Sequence, residues 1–95
     1  MQIRWSPAAA DDLQQLFEYI RTDSPEAAAR VAQTIHDRAA ELSVHPYLGR
    51  PGRVEGTREL PLPPLPFIVV YRVRTNVDVV EIVNVIHGAQ RWPRA

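Results

Sequence analysis

The 95-residue sequence contains no cysteine, no lysine and no long hydrophobic run. Without cysteine, the chain can form neither a disulfide framework nor a thiolate metal site. Its apolar runs are far shorter than the roughly 18–20 residues that span a bilayer, and the N-terminus lacks the blocks of a secretion signal. The three histidines are too scattered for a metal signature, so we expect no metal and no cofactor. These absences predict a cytoplasmic protein without membrane contact, folded as a single domain over residues 1–95.

The charges balance overall but are unevenly distributed. All eleven cationic side chains are arginine, and eleven acids bring the formal net charge to zero. Residues 1–49 hold four arginines against seven acids, whereas residues 50–95 hold seven arginines against four acids. A zero net charge argues against a uniformly basic nucleic-acid binder, but clustered arginines in the C-terminal half could still bind carboxylates or phosphates.

The first half of the chain predicts a short strand and two helices. Residues 1–5 are typical of a strand, and Ser6-Pro7 supplies a helix N-cap and a first helical position. A stripe with helical spacing follows, formed by Leu13, Leu16, Phe17 and Ile20. Ser24-Pro25 repeats the start signal, and we expect His45-Pro46 to end the second helix. The short connection favours an antiparallel helical hairpin.

The second half predicts three strands in an antiparallel meander. Residues 47–56 have loop composition, and we expect no helix or strand there. Residues 57–62 favour an edge-like strand because Pro61 cannot donate to a ladder, while residues 67–74 and 78–86 favour central strands joined near Thr75-Asn76. The order is β-α-α-β-β-β, an α+β fold with the N-terminal helical hairpin packed on an antiparallel sheet.

Three side chains near strand ends are candidates for chemistry. His87 follows the strongest strand signal and could be an acid or base, or a structural side chain that bonds to a neighbouring strand. Strand parity places Arg58 with Leu60 and Arg72 with Val70. These arginines could lie at the sheet rim with packed stems, or could hold a phosphate together with His87. Trp92 could be a core anchor or a partner contact.

Several stretches together resemble one protein family. They are "SPEAA", "GRPGRVEGTRELPL", "PFIVVYRV" and "VEIVNVIHGAQRWP", and the likeness runs from Ile3 to Pro93. Their order and spacing resemble the RelE/ParE superfamily of toxins from bacterial type II toxin–antitoxin modules, in its ParE-like, plasmid-stabilisation branch. The resemblance implies the same β-α-α-β-β-β fold, growth arrest by the toxin, and neutralisation by a cognate antitoxin in a hetero-oligomer.

The superfamily divides by target. RelE-like members cut mRNA in the ribosome with lysines and arginines on the sheet plus a C-terminal tyrosine or histidine, whereas ParE-like members inhibit DNA gyrase. This chain has no lysine, has Ile68 where the ribonucleases usually carry arginine, and has no tyrosine after Tyr71. The resemblance therefore favours a gyrase inhibitor that is not an enzyme. The alternatives are an mRNA interferase with His87 as acid or base and with Arg58 and Arg72 on the phosphate, or a decayed toxin that only binds its antitoxin.

The resemblance and the charge pattern together suggest two binding surfaces. For the target, gyrase or the ribosome with its mRNA, we expect a basic sheet rim and tail formed by Arg58, Arg72, His87, Arg91 and Trp92. For the antitoxin, we expect a groove between the helical hairpin and the sheet that offers apolar anchors and cations for carboxylates. Its residues would be Leu13, Phe17, Val31, Arg50, Arg53, Arg58 and Arg72.

Overall fold

Two helices pack on one face of a five-stranded sheet in the computed structural model, which describes residues 1–89 and 91–93. The elements in chain order are β1 Gln2–Trp5, α1 Pro7–Arg21, α2 Pro25–Ala40, β2 Arg50–Pro51, β3 Arg58–Pro61, β4 Phe67–Arg74 and β5 Val79–His87. The sheet order is β1-β5-β4-β3-β2, with β1 parallel to β5 and the other pairs antiparallel. The predicted α+β fold and the meander β3-β4-β5 are confirmed. The sheet is mixed and not wholly antiparallel as predicted, because β1 pairs in parallel with β5. Neither helix of the described residues is long and apolar enough to cross a membrane.

The helices begin where the cap signals predict. The hydroxyl of Ser6 accepts a hydrogen bond from the amide of Ala9, and that of Ser24 accepts one from Ala27, at 3.0 and 3.2 Å. The predicted end of the second helix at His45-Pro46 is wrong, because α2 ends at Ala40 and the chain tightens into a 3₁₀ turn, Glu41–Ser43. That turn buries Leu42 completely, and it places the Ser43 carbonyl oxygen 2.8 Å from the N-terminal ammonium group, which donates to it.

The expectation of no strand within residues 47–56 is also wrong. Strand β2 pairs with β3 through Arg50 opposite Glu59 and Pro51 opposite Arg58. A two-residue strand that contains proline has too few positions to show alternation, so its sequence gives no strand signal. Strand β3 is therefore covered along half of its length, and Pro61 lies in the half beyond β2, where no outer partner needs its missing amide hydrogen.

The two faces of the sheet are packed differently. The helix-covered face carries the main core, to which the sheet contributes Leu60, Val69, Tyr71, Val80, Ile82 and Val85. The other face, which we call the open face, carries a small buried cluster of Ile68, Val70 and Ile86, against which Val83 and Trp92 pack. Among residues 1–89 and 91–93 no helix lies on the open face, and Trp92 from the tail after β5 packs on its cluster.

A β-bulge in β5 fastens α1 to the sheet. Val70 pairs with Asn84 while the next residue, Tyr71, pairs with Ile82, so Val83 is an extra residue in β5. The carboxylate of Asp12 on α1 accepts hydrogen bonds from the amide of Val85 at 3.0 Å and from the side-chain amide of Asn84 at 2.9 Å. The bulge thereby presents the Val85 amide and the Asn84 side chain to α1, where the Asp12 carboxylate accepts their hydrogen bonds.

Candidate functional site

Arg58 faces the helix side of the sheet. It lies opposite Tyr71, whose side chain belongs to the main core, so the two share that face. Its guanidinium donates to the carbonyl oxygens of Tyr47 and Gly49 and lies 5.4 Å from the centre of the Tyr47 ring. Arg58 therefore holds the loop after α2 in place.

Arg72 faces the other way. It alternates along β4 with Tyr71 and so shares the open face with Ile68 and Val70, as strand parity predicts. It is half-buried, and its guanidinium lies beside Gly56, where an added Cβ would stand 3.4 Å from Nη1. Arg58 and Arg72 are thus on opposite faces of the sheet.

His87 lies at the far end of β5. Its backbone partner is Phe67, five residues along β4 from Arg72, which corresponds to about 16 Å of strand. Its Nδ1 accepts a hydrogen bond from the amide of Ala89 at 3.1 Å, and its ring meets the Phe67 ring edge-to-face at a centroid distance of 5.9 Å. The ring borders a cavity of about 380 Å³ that Asp12 also lines.

The predicted phosphate-holding cluster of Arg58, Arg72 and His87 does not form. Parity along β3 and β4 sends the two arginines to opposite faces, and the antiparallel register places His87 at the other end of β4. Each residue's position within its own strand could be predicted from the sequence, but the register between strands could not. Among the described residues, no group of three or more histidine, cysteine or acidic side chains could hold a metal ion.

Trp92 has the packing contacts expected of a core anchor. It packs against the cluster of Ile68, Val70 and Ile86, and its indole Nε1 donates to Asn84 Oδ1 at 3.2 Å. Because it remains half-buried, part of the ring is also available to a partner. The preceding Arg91 is exposed.

Glu59 was missed by the sequence analysis. It is almost fully buried, although it sits next to Arg58 in a strand. Its carboxylate accepts a hydrogen bond from the Arg53 amide at 3.0 Å and pairs with the guanidinium groups of Arg50 and Arg53 at 3.3 and 3.4 Å. These two arginines, predicted as antitoxin contacts, therefore also fix the loop to β3. An acid alternating with apolar residues, opposite two loop arginines, is the signal that could have indicated it.

The predicted antitoxin groove is divided in the structure. Leu13 and Phe17 line an apolar groove of about 470 Å³ with Trp5 and His36, beside β1. Val31 instead borders a separate hollow of about 370 Å³ with Leu65. The arginines predicted to flank the groove lie on β2, β3, β4 and the loop after β2, and none of these strands is next to β1 in the sheet. A single compact surface of apolar anchors and cations is therefore not present.

Comparison with known proteins identifies relatives along nearly the whole chain. The family model described as the ParE toxin of type II toxin–antitoxin system, parDE, matches residues 3–92. A curated relative from Sinorhizobium fredii (strain NBRC 101917 / NGR234), provisionally named toxin Y4kP, is 42% identical over 93 residues, which cover 98% of this chain and 94% of the relative.

Solved structures give the same result. The chromosomal ParDE toxin–antitoxin system from P. aeruginosa matches with a TM-score of 0.80 and 29% identity, over 92% of this chain and 95% of that chain. The toxin–antitoxin complex RelBE2 from Mycobacterium tuberculosis matches with a TM-score of 0.62 and 27% identity, over 90% and 95% of the two chains. The chain therefore belongs to the ParE toxin family and is the toxin of a type II toxin–antitoxin system.

Proposed function

We propose that this toxin arrests growth in the cytoplasm by binding DNA gyrase and inhibiting it, without catalysing a reaction itself. The observation that carries the proposal is the separation of Arg58, Arg72 and His87 on different faces and ends of the sheet. Cleavage of RNA through its 2′-OH needs a base, an acid and a cation within hydrogen-bond reach of one phosphate. Three groups so far apart favour a role in binding over a role in chemistry.

The open face is the surface that we propose for the target. Trp92 and Arg91 come from the tail, and Arg72 comes from β4 on the same face. Tryptophan and arginine are enriched among the residues that dominate protein–protein binding energies, because they combine large apolar area with directed polar groups. Arg74, paired with Glu81 at 3.0 Å, adds a polar rim. His87 is not part of this surface, because its ring borders the cavity beside α1 on the helix-covered face, and its imidazole performs no proton transfer.

The apolar groove beside β1 is the first surface that we propose for the antitoxin. Two of its walls, Leu13 and Phe17, come from α1, and the Trp5 ring closes it from the sheet. An amphipathic helix places its apolar face in such a groove, and binding to the folded toxin alone would raise the toxin's stability. The similarity to solved toxin–antitoxin systems supports an antitoxin partner for this chain.

A supercoiling assay with purified gyrase tests the target. We expect the purified toxin to inhibit supercoiling of relaxed plasmid at micromolar concentration, and toeprints of translated mRNA to show no new cleavage. Cleavage of ribosome-bound mRNA with no effect on supercoiling would instead make the protein an mRNA interferase. If expression without the antitoxin gene gives no growth phenotype, the protein is a decayed toxin that only binds its antitoxin.

A further inference from the structure

The loop after α2 exposes three large apolar side chains. Val44, Tyr47 and Leu48 are 73%, 59% and 47% exposed. Together with His45 and Pro46 they line a shallow hollow of about 410 Å³. We call Val44, Tyr47 and Leu48 the loop patch. Single apolar residues on a surface are ordinary, but three within five positions around one hollow indicate a contact site.

The loop patch is held rigidly. The amide of Gly49 donates to the Tyr71 hydroxyl at 2.9 Å, in the buried core, and Arg58 bonds to the carbonyl oxygens on both sides of Leu48. Gly49 has no room for a side chain, because an added Cβ would lie 2.6 Å from the Glu59 carbonyl oxygen. A preorganised apolar surface binds a partner at a low entropic cost, whereas a loose loop would not.

The antitoxin groove continues along α2 in the direction of the loop patch. The groove is lined by Trp5 and His36, and the same two residues line a neighbouring hollow, with Ile3 and Ala40. Ala40 is the last residue of α2, and the 3₁₀ turn from Glu41 leads directly into Val44. From Ala32 in the groove to Ala40 is eight helical residues, or about 12 Å. A polypeptide lying in the groove would therefore be led along β1 and α2 to the loop patch.

The charges beside the loop patch select the partner's chemistry. Residues 44–59 contain three arginines, Arg50, Arg53 and Arg58, against two acids, and one of these, Glu59, is buried between Arg50 and Arg53. Of the three arginines, Arg58 lies against Tyr47, so the loop patch is apolar with a cation beside it. That combination favours an acidic polypeptide with apolar anchors over nucleic acid, since two of the three patch side chains are aliphatic and stack no bases.

We propose that the loop patch is a second anchoring site for the antitoxin, and that it binds an acidic segment with an apolar anchor which follows the segment in the groove. This inference rests on the proposed neutralisation by an antitoxin and adds a site to it. Two anchors joined by a short connection act at high effective concentration, so the second strengthens binding beyond its own contact energy. The carboxylates of that segment meet Arg58, whose guanidinium lies over the Tyr47 ring.

The test compares apolar side chains of similar exposure inside and outside the loop patch. Val44→Ser combined with Leu48→Ser removes the aliphatic anchors, and Val77→Ser is the matched control because Val77 is 56% exposed and lies in the turn between β4 and β5. The dissociation constant of the purified cognate antitoxin is measured for each variant, with thermal melts to confirm folding. We expect the double variant to bind about tenfold more weakly or worse, and the control to bind like the wild type.

A second pair and a groove variant separate the outcomes. Tyr47→Ser should weaken antitoxin binding while Tyr19→Ser, at an 81% exposed site, should not. If both patch variants bind like their controls while Phe17→Ser weakens binding, the loop patch is no part of the interface, although neutralisation through the groove stands. If the wild-type toxin does not bind the antitoxin at all, the proposed neutralisation itself is wrong. The inference would also be overturned if the patch variants lost binding to an oligonucleotide but kept wild-type affinity for the antitoxin.

Discussion

The two faces of the sheet are both apolar at their centres, but different parts of the chain cover them. On the helix-covered face, α1 and α2 bury a continuous core that includes Ile35 and Ile82. On the open face, the buried cluster is small, and a side chain from the tail, Trp92, packs on it. A domain of this size has little stability to spare, so its larger core, on the helix-covered face, can stabilise the fold. The open face, with its smaller cluster, can then bind a partner.

The first way to sharpen this comparison is a cavity in the helix-covered core. Ile35 is fully buried on α2, so Ile35→Ala should lower the free energy of unfolding by about 2–5 kcal/mol, through lost transfer energy and the remaining cavity. Urea denaturation measures the loss, with Val77→Ala as an exposed control. In a gyrase assay under conditions where the variant remains folded, its inhibition of supercoiling should equal that of the wild type. Loss of inhibition by the folded variant would break the division between the faces.

The second prediction concerns the buried carboxylate on the open side of β3. Glu59→Gln keeps the shape but removes the charge that pairs with Arg50 and Arg53, and should cost about 1–3 kcal/mol of unfolding free energy. The guanidinium groups are partly solvated, which limits the loss. Glu55→Gln, at an exposed position in the loop between β2 and β3, should leave the free energy of unfolding unchanged. Equal stability of the two variants would mean that the loop does not depend on Glu59.

The third prediction addresses the link between the faces. Asp12 accepts bonds from the Val85 amide and the Asn84 side chain, and Asn84 in turn accepts one from Trp92. Asp12→Asn should cost about 1–2 kcal/mol of unfolding free energy, because a neutral amide replaces a carboxylate that accepts two bonds. Asp11→Asn, on the exposed side of α1, is the matched control. Chemical denaturation compares them, and an equal loss in both would contradict the role of the bulge.

Much of the fold could be predicted because its signals are local. Ser6 and Ser24 start the helices, and segments rich in Val and Ile mark β4 and β5. The strand Arg50–Pro51 could not be predicted, because its two residues are extended only through their pairing with Arg58 and Glu59. Local propensity carries no information of that kind.

The candidate site was harder to predict because it depends on register. Parity within β4 correctly placed Arg72 with Val70, but only the pairing of Arg58 with Tyr71 shows that Arg58 is on the opposite face. The pairing of Phe67 with His87 likewise sets the distance between His87 and Arg72. Interstrand register comes from packing over the whole sheet, so a strand-by-strand analysis brought together residues that the fold separates.

The most direct test of a target-binding open face without catalysis compares two substitutions near the end of the chain in one gyrase supercoiling assay. Trp92→Ala removes the aromatic ring from the open face, and His87→Ala removes the imidazole at the end of β5. With folding of both variants verified, we predict that Trp92→Ala weakens inhibition about tenfold or more, as loss of a binding anchor does, while His87→Ala inhibits like the wild type. Full inhibition by Trp92→Ala together with complete loss in His87→Ala would contradict the account.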